Sequence, residues 1–304
     1  MAPKHNREQL HGVIPPLVTP FDRAGEIDEG AFRANLERYV GIGFAAVMVA
    51  GTTGEAPLLT GPERLRLTEL ARSIVGPEEL VITGTGLEST RETIRLSLEA
   101  IEHGTDLVLV VTPWYYKSKM DGPALIAHYR RVAEALPRPL LIYSIPQCTG
   151  VRIPVEAVAA LARHPNIAGL KESSGDLPYL RSILRRVPKK FRVFSGSLTI
   201  LPDALRAGAA GAVLSQANFA PDLCVAYYQA YRAGRHKLAR ELFARLLPLA
   251  GEISLKYGTP AVKAAMEAAG FHGGDPRGPL LPLDAAARRA IARTLKASQA
   301  GLAL

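Results

Sequence analysis

Short apolar segments alternate with amphipathic helical patterns along almost the whole 304-residue chain. Each apolar segment has the length of a strand and is apolar throughout, which is typical of strands buried on both faces of a parallel sheet. The strand candidates occupy residues 13–18, 45–50, 80–83, 107–111, 140–143, 167–170, 192–194 and 212–214. This succession of strand–helix units predicts a closed parallel barrel of the α/β class, the TIM or (β/α)8 barrel.

The helical patterns begin and end at residues that favour those positions. Pro62 lies in a first helical turn, and Ser89 followed by Glu92 has the spacing of a capping box. Gly104 follows another helical pattern, as glycine does at many helix ends. An open doubly wound sheet is the alternative, but such a sheet usually carries a glycine-rich fingerprint after its first strand, and none follows Val18.

Further helical patterns follow the last strand candidate. They lie near 224–232, 236–251, 260–269 and 283–297. We expect them to form a C-terminal helical extension, residues 226–304, which packs on a barrel of residues 1–225 so that the two make a single structural unit.

Composition and charge argue against several classes of protein. No window offers the ~20 uninterrupted apolar residues of a membrane-spanning helix, and the polar N-terminus lacks the apolar segment of a secretion signal. The net charge of +9 comes from lysines and arginines spread along the chain, without a basic arm or a basic stripe interleaved with aromatic residues. The 2 cysteines do not make a disulfide framework. We therefore expect a cytoplasmic protein that binds neither membranes nor nucleic acids.

Lys171 is the leading candidate for chemistry. It lies where the apolar run 167–170 gives way to a polar stretch, and active sites of such barrels lie at the carboxyl ends of strands. Burial there lowers the pKa of an amine, which makes the amine a nucleophile for carbonyl carbons and able to form a Schiff base. The alternative is an exposed lysine that ends a strand. The 7 histidines and 2 cysteines show no metal-ligand spacing and no phosphate loop follows a strand, so we expect no metal and no cofactor.

Other strand ends carry small polar or aromatic residues. The segment 51–55, Gly-Thr-Thr-Gly-Glu, lets backbone N–H groups approach a carboxylate, although an ordinary turn has the same composition. Tyr143 ends the strand before that of Lys171, so the two side chains are expected to meet inside the barrel. The positive charge of the ammonium would favour the phenolate form of Tyr143, which could then act as a proton shuttle. The aromatic run 114–116 is expected to pack against something, such as a subunit interface. Small and polar residues follow the last two strand candidates, at 195–197 and 215–218, and are expected to line the walls of the site.

Three of these motifs occur together in the order and spacing of one family. They are the GTTGE segment at 51–55, the Y-x-x-P-x-x-T-G run at 143–150 and the GLKE segment at 169–172. The chain resembles the dihydrodipicolinate synthase / N-acetylneuraminate lyase family over about residues 13–283. The resemblance implies a TIM barrel, usually a homotetramer built as a dimer of dimers, that acts on pyruvate or a related 2-oxo acid.

The resemblance also implies roles for individual residues. Lys171 would form the Schiff base, Tyr143 would move protons, and Thr52 would link Tyr143 to a Tyr115 that reaches in from the neighbouring subunit. The residues implied to bind or contact the substrate are Thr53, Gly51, Gly196, Val213, Cys148 and Ser144.

Departures from the family pattern bear on the substrate. Synthases that act on aspartate semialdehyde carry an arginine where this chain has Cys148, and a cysteine cannot clamp a carboxylate with two hydrogen bonds. The histidine and asparagine of lysine feedback sites are replaced by Gly61, Arg64 and Glu88, so feedback by lysine is not expected.

The segments 111–120, 143–146 and 164–167 resemble the 4-hydroxy-2-oxoglutarate aldolase branch, although members of the mammalian type tend to have Ser-Asn at the position of Thr52 and Thr53. The leading hypothesis is a class I aldolase that cleaves 4-hydroxy-2-oxoglutarate to pyruvate and glyoxylate. The alternatives are a dihydrodipicolinate synthase that condenses pyruvate with aspartate semialdehyde, a 2-keto-3-deoxy sugar-acid aldolase or dehydratase, and a barrel that senses a 2-oxo acid without catalysis.

Overall fold

The structure, a computed structural model, describes residues 10–300. One sheet of eight parallel strands has the order β1-β8-β7-β6-β5-β4-β3-β2, so that each strand lies beside its neighbour in sequence. The strands are β1 (Gly12–Ile14), β2 (Val47–Val49), β3 (Val81–Gly84), β4 (Leu107–Val111), β5 (Leu140–Ser144), β6 (Ile167–Glu172), β7 (Arg192–Ser195) and β8 (Gly211–Val213).

Hydrogen bonds between the first two strand segments close this sheet into a barrel. The Ala45 amide donates to the Val13 carbonyl at 2.9 Å, and the Leu17 amide donates to the Met48 carbonyl at 2.7 Å. The predicted TIM barrel is therefore confirmed. The first strand is shorter than the predicted 13–18, because the two prolines that follow Ile14 have no N–H group for a ladder.

Helices cover the outside of the barrel. They are α1 (Glu29–Tyr39), α2 (Gly61–Ile74), α3 (Thr90–Glu102), α4 (Gly122–Ala135), α5 (Pro146–Thr149), α6 (Val155–Leu161), α7 (Leu177–Leu184), α8 (Leu201–Arg206) and α9 (Pro221–Arg232). The predicted helix starts are confirmed: Thr60 and Glu63 form a reciprocal capping box on α2, and the Ser89 hydroxyl accepts from the Glu92 amide at the start of α3.

The predicted C-terminal helices are present. They are α10 (His236–Leu249), which runs into a π-helix (Ala250–Leu255), then α11 (Thr259–Ala268) and α12 (Ala285–Gln299). Leu246, Ile253 and Leu295 share one hydrophobic cluster with Leu17 and Tyr39 of the barrel. Residues 225 and 226, the predicted limit of the barrel, both lie within α9. Within residues 10–300 no helix combines the length and apolar character needed to cross a bilayer.

The interior of the barrel is filled by side chains from the strands. A buried apolar cluster beneath the carboxyl ends contains Ile14, Met48, Ile82, Leu109, Leu141, Phe194 and Val213. The interior of the barrel is thus a packed core and not a pore. Gly169 allows β6 to approach β7, because a Cβ atom at this position would lie 2.0 Å from the Arg192 carbonyl oxygen.

We expect Gly169→Ala to destabilise the protein by about 1–3 kcal/mol, because the added methyl group forces apart two strands near Lys171. Gly30→Ala is the matched control: on exposed α1 the new Cβ would meet only Asp28 Oδ1, at 3.5 Å. That substitution should leave stability unchanged or raise it by about 0.5 kcal/mol. Urea unfolding of the three proteins measures both effects, and equal stability of the Gly169 variant and the parent would contradict this account of the close approach.

Candidate active site

Lys171 and Tyr143 face each other in the mouth of the barrel. β6 extends two residues beyond the predicted end, to Glu172, so Lys171 lies within the strand. Lys171 and Tyr143 are register partners on β6 and β5, and Lys171 Nζ lies 4.0 Å from the centroid of the Tyr143 ring. The same Nζ lies 3.8 Å from Met48 Sδ. The two side chains that the sequence places on adjacent strands therefore meet inside the barrel.

The amine of Lys171 is desolvated and has no carboxylate beside it. Its side chain is 4% exposed, and burial lowers the pKa of Lys171 to about 7, with a smaller opposing influence from the Cys148 thiol. Glu172 is next in sequence but lies on the opposite face of β6, because successive side chains of a strand alternate. Within residues 10–300, Lys171 forms no salt bridge. A substantial fraction of this amine is neutral at physiological pH.

Tyr143 is a neutral phenol in this arrangement. Burial raises the pKa of Tyr143, and hydrogen bonds with Thr52 and Ser173 offset only part of the increase. The Tyr143 hydroxyl lies 3.1 Å from Thr52 Oγ1. Burial thus outweighs the hydrogen bonds in the unliganded site, and the expectation that an ammonium on Lys171 favours the phenolate stays a prediction.

The segment 51–55 carries Thr52 and Thr53 on a backbone of unusual conformation. Ala50, just before the segment, and Glu55, its last residue, have φ angles of 50° and 60°. Non-glycine residues rarely occupy this left-handed region, and such strain is often found at functional sites. Gly54 packs so closely on the first strand segment that a Cβ atom would lie 2.8 Å from the Leu17 carbonyl oxygen.

A cavity of about 530 Å³, here called the lysine cavity, brings most of the predicted site residues together. Gly196 approaches this cavity as only glycine can, because a Cβ atom there would lie 1.8 Å from Ser173 Oγ. Lys171 is the only charged side chain on its wall among the described residues. The predicted residues that line the lysine cavity are Lys171, Tyr143, Thr52, Thr53, Gly196 and Val213.

A second cavity of about 310 Å³, the side cavity, adjoins the first at Thr52 and Tyr143, which line both. Gly51 and Cys148 line this side cavity. Its one charged side chain within residues 10–300 is Arg64, whose guanidinium donates to the carbonyls of Ala56, Gly84 and Gly86 at 2.6, 3.3 and 3.4 Å. Burial lowers the pKa of Arg64 to about 10.

Two predicted residues lie away from both cavities. Ser144 follows Tyr143 on β5 and therefore faces outward, where its hydroxyl is buried. Tyr115 is 74% exposed, and its backbone amide donates to Glu88 Oε2 at 2.8 Å. Its ring packs edge-on against Tyr116 at 5.0 Å, so within one chain it does not reach Thr52.

Several polar residues of the lysine cavity were not predicted from the sequence. Ser254 and Thr259 come from the C-terminal extension, Gln147 comes from the short helix α5, and Thr199 comes from a barrel loop. Ser254 Oγ accepts from Gln216 Nε2 at 2.9 Å, which joins the C-terminal extension to the loop that follows β8. A signal for Thr259 was present, because the Gly-Thr-Pro sequence at 258–260 is typical of a turn that starts a helix.

In the described part of the chain no group of three or more His, Cys, Asp or Glu residues could hold a metal ion.

The pKa of Lys171 can be tested by its rate of acetylation with acetic anhydride, followed by mass spectrometry across pH 5–10. We expect a midpoint near pH 7 for Lys171, against about 10.4 for an unstructured lysine peptide. Since the unfolded chain binds the extra proton between these values, this group should also make the free energy of unfolding rise with pH in that window. A midpoint near 10 would contradict the effect of burial.

Comparison with known proteins agrees with this geometry. The model of the dihydrodipicolinate synthetase family matches residues 9–298. An uncharacterised DapA-like lyase of Halobacterium salinarum is 39% identical over 93% of this chain and 92% of its own length. A 4-hydroxy-tetrahydrodipicolinate synthase of Methanopyrus kandleri is 37% identical over 95% of this chain and 96% of its own length.

Solved structures give the same result. The dihydrodipicolinate synthase of Thermotoga maritima is similar with a TM-score of 0.91 and 31% identity, over 95% of this chain and 99% of that one. The synthase of Aquifex aeolicus is similar with a TM-score of 0.90 and 32% identity, over 97% of this chain and 100% of that one. The resemblance predicted from the three motifs is confirmed, and this chain belongs to the dihydrodipicolinate synthetase family, a family of pyruvate-type lyases.

Proposed function

We propose that this chain forms a Schiff base between Lys171 and the 2-oxo group of pyruvate, and then makes or breaks a carbon–carbon bond at the pyruvate methyl carbon. The observation that carries the proposal is the desolvated amine of Lys171, with a pKa of about 7, facing Tyr143 across the open lysine cavity. A neutral amine is the form that attacks a carbonyl carbon, and burial without a carboxylate partner provides it near neutral pH.

The neighbouring residues suit the remaining steps. Lys171 adds to the 2-oxo carbon, and loss of water gives a protonated imine that withdraws electrons from the adjacent carbon. The imine is a cation beside Tyr143, so it lowers the pKa of a phenol that burial alone holds high. Tyr143 can then accept and return protons, held in place by Thr52 at 3.1 Å. Thr53 and the backbone of its loop are positioned to bind the carboxylate of the 2-oxo acid.

The names of the relatives support condensation of pyruvate with aspartate semialdehyde as the first reaction to assay. Cleavage of 4-hydroxy-2-oxoglutarate is the second candidate, favoured by Cys148 at the position where synthases that act on aspartate semialdehyde carry an arginine. The Arg64 guanidinium of the same cavity is already bound to three backbone carbonyls. Both reactions pass through a Schiff base on Lys171, and they differ in the aldehyde and in whether the carbon–carbon bond is broken or formed. A hydroxylated aldehyde from a 2-keto-3-deoxy sugar acid would find hydrogen-bonding groups on Ser173, Ser197 and Ser254 of the lysine cavity.

Turnover of each substrate set by the wild type tests this proposal. Lys171→Ala should abolish every reaction that the wild type performs, because no other amine lines the lysine cavity in the described chain. Tyr143→Phe should lower kcat by about 10²–10⁴-fold, the usual contribution of a general acid–base group. Lys237→Ala, an exposed lysine on α10, is the matched control and should be fully active. Substantial activity of the Lys171 variant would refute the Schiff-base mechanism.

We also propose a homotetramer in which Tyr115 of one subunit completes the site of another. Tyr115 and Tyr116 are 74% and 69% exposed, and the side cavity lies next to the Thr52–Tyr143 pair. Large exposed aromatic side chains are typical of interfaces rather than of free surface. A phenol inserted from a second copy would reach the hydrogen-bonded pair that Tyr115 does not reach within its own chain.

Mixed oligomers test this second proposal. Tyr115→Ala and Lys171→Ala should each be nearly inactive alone. After mild dissociation and reassociation of the two together, we expect activity to return to about a quarter of the wild-type value, because some sites then combine an intact Lys171 with an intact Tyr115 from the neighbouring chain. Mixing without dissociation is the control. Full activity of the Tyr115 variant by itself, or no recovery in verified mixed oligomers, would show that each subunit builds its site alone.

A further inference from the structure

A buried ion pair joins the loop of Thr52 and Thr53 to the C-terminal extension. Glu55 Oε1 lies 2.7 Å from Lys263 Nζ of α11, and the two side chains are 0% and 1% exposed. Glu55 Oε2 accepts from the Arg277 backbone amide at 2.9 Å. Lys263 Nζ also donates to the Asp275 carbonyl at 2.8 Å and lies 4.4 Å from the centroid of the Phe21 ring. Both charges are therefore held by several partners.

The backbone connects this pair directly to the site. Glu55 is the last residue of the 51–55 segment, and its amide donates to the Thr52 carbonyl at 3.0 Å. Thr52 in turn contacts the Tyr143 hydroxyl through its side chain. Glu55 also has a left-handed backbone conformation, as does Ala50 just before the segment. A shift of the Glu55 carboxylate would therefore turn the peptide groups that carry Thr52 and Thr53.

Stability alone does not account for a pair of this kind. Removing two charges from water costs about as much as their attraction returns, and apolar residues of similar size often serve the fold equally well. A strained backbone persists only where its surroundings over-determine it, and the Glu55 carboxylate provides two such fixed contacts.

We propose that Glu55 and Lys263 are positioning residues, which hold Thr52 against Tyr143 and Thr53 against the carboxylate of the 2-oxo acid. The C-terminal extension thereby takes part in catalysis, although its charged residue touches no substrate. This inference rests on the proposed Schiff-base function of Lys171.

The test uses Glu55→Gln combined with Lys263→Met, which removes both charges, keeps the volumes and leaves a side-chain amide oxygen able to accept from the Arg277 backbone amide. We expect a folded protein with a thermal midpoint close to that of the wild type, a higher KM for pyruvate, and a kcat lower by about 10–100-fold, as for a displaced catalytic group. The matched control is Glu29→Gln combined with Arg66→Met, which removes an exposed ion pair of the same 2.7 Å length and should leave both constants unchanged.

Coupling to Thr52 distinguishes positioning from a general loss of structure. In the wild type, Thr52→Val removes the hydrogen bond to Tyr143 and should lower kcat strongly. In the Glu55–Lys263 double variant that bond is already misaligned. Thr52→Val should therefore lower kcat by no more than about threefold in this background, since effects within one hydrogen-bonded unit are not additive. If Glu55 and Lys263 serve only the stability of the fold, Thr52→Val should lower kcat by the same factor in the wild type and in the double variant.

The outcomes separate this inference from the proposed function. If the wild type forms no borohydride-trapped pyruvate adduct, the Schiff-base function itself fails. If the wild type is trapped and the folded double variant shows the same pyruvate dependence of trapping and the same kcat, the positioning role is overturned. Should the double variant not fold, Glu55→Gln alone, which keeps an oxygen able to accept from the Arg277 backbone amide, provides the test. A tenfold or larger fall in kcat or rise in KM in a folded protein supports the positioning role, whereas unchanged kcat and KM overturn it.

Discussion

The proposed chemistry of this barrel depends on the desolvation of a single amine. Lys171 lies near the end of β6, beneath the mouth, where the aromatic ring of Tyr143 and the sulfur of Met48 surround its nitrogen. The carboxylate next in sequence, Glu172, faces the other side of the strand and cannot neutralise the charge. The ammonium form is thus destabilised, and the amine becomes available as a nucleophile at neutral pH.

The loop that faces this amine depends on contacts far away in the chain. Its two left-handed residues, Ala50 and Glu55, adopt conformations that such residues do not favour by themselves. The loop is supported on one side by Thr19, whose hydroxyl donates to the Gly54 carbonyl at 2.8 Å, and on the other by Lys263 and Arg277 of the extension. Barrel and extension thus share both a hydrophobic core and a polar connection to the site.

The fold was largely predictable because each strand–helix unit carries its own local signal, such as the capping box at Thr60 and Glu63. That Lys171, Tyr143 and Thr52 lie together was predictable, because motifs place them at the carboxyl ends of strands, where the loops of a parallel barrel converge. Ser144 lies outside both cavities because side chains alternate along a strand, so a residue next to the inward-facing Tyr143 faces outward.

What could not be predicted depends on contacts between distant segments. Glu55 and Arg277 are 222 residues apart, and no local pattern indicates that a loop carboxylate will be buried against α11. Ser254 reaches the lysine cavity from a π-helix, which has no reliable sequence signature. The raised pKa of Tyr143 depends on the complete burial of its side chain, which no local sequence pattern shows.

Reduction with borohydride in the presence of pyruvate, followed by peptide mapping, tests the central claim most directly. The account predicts one stable adduct, on Lys171, with the buried Lys263 and the exposed lysines unmodified. An adduct on a different lysine, or none under conditions in which pyruvate saturates the protein, would show that the buried amine is not the nucleophile.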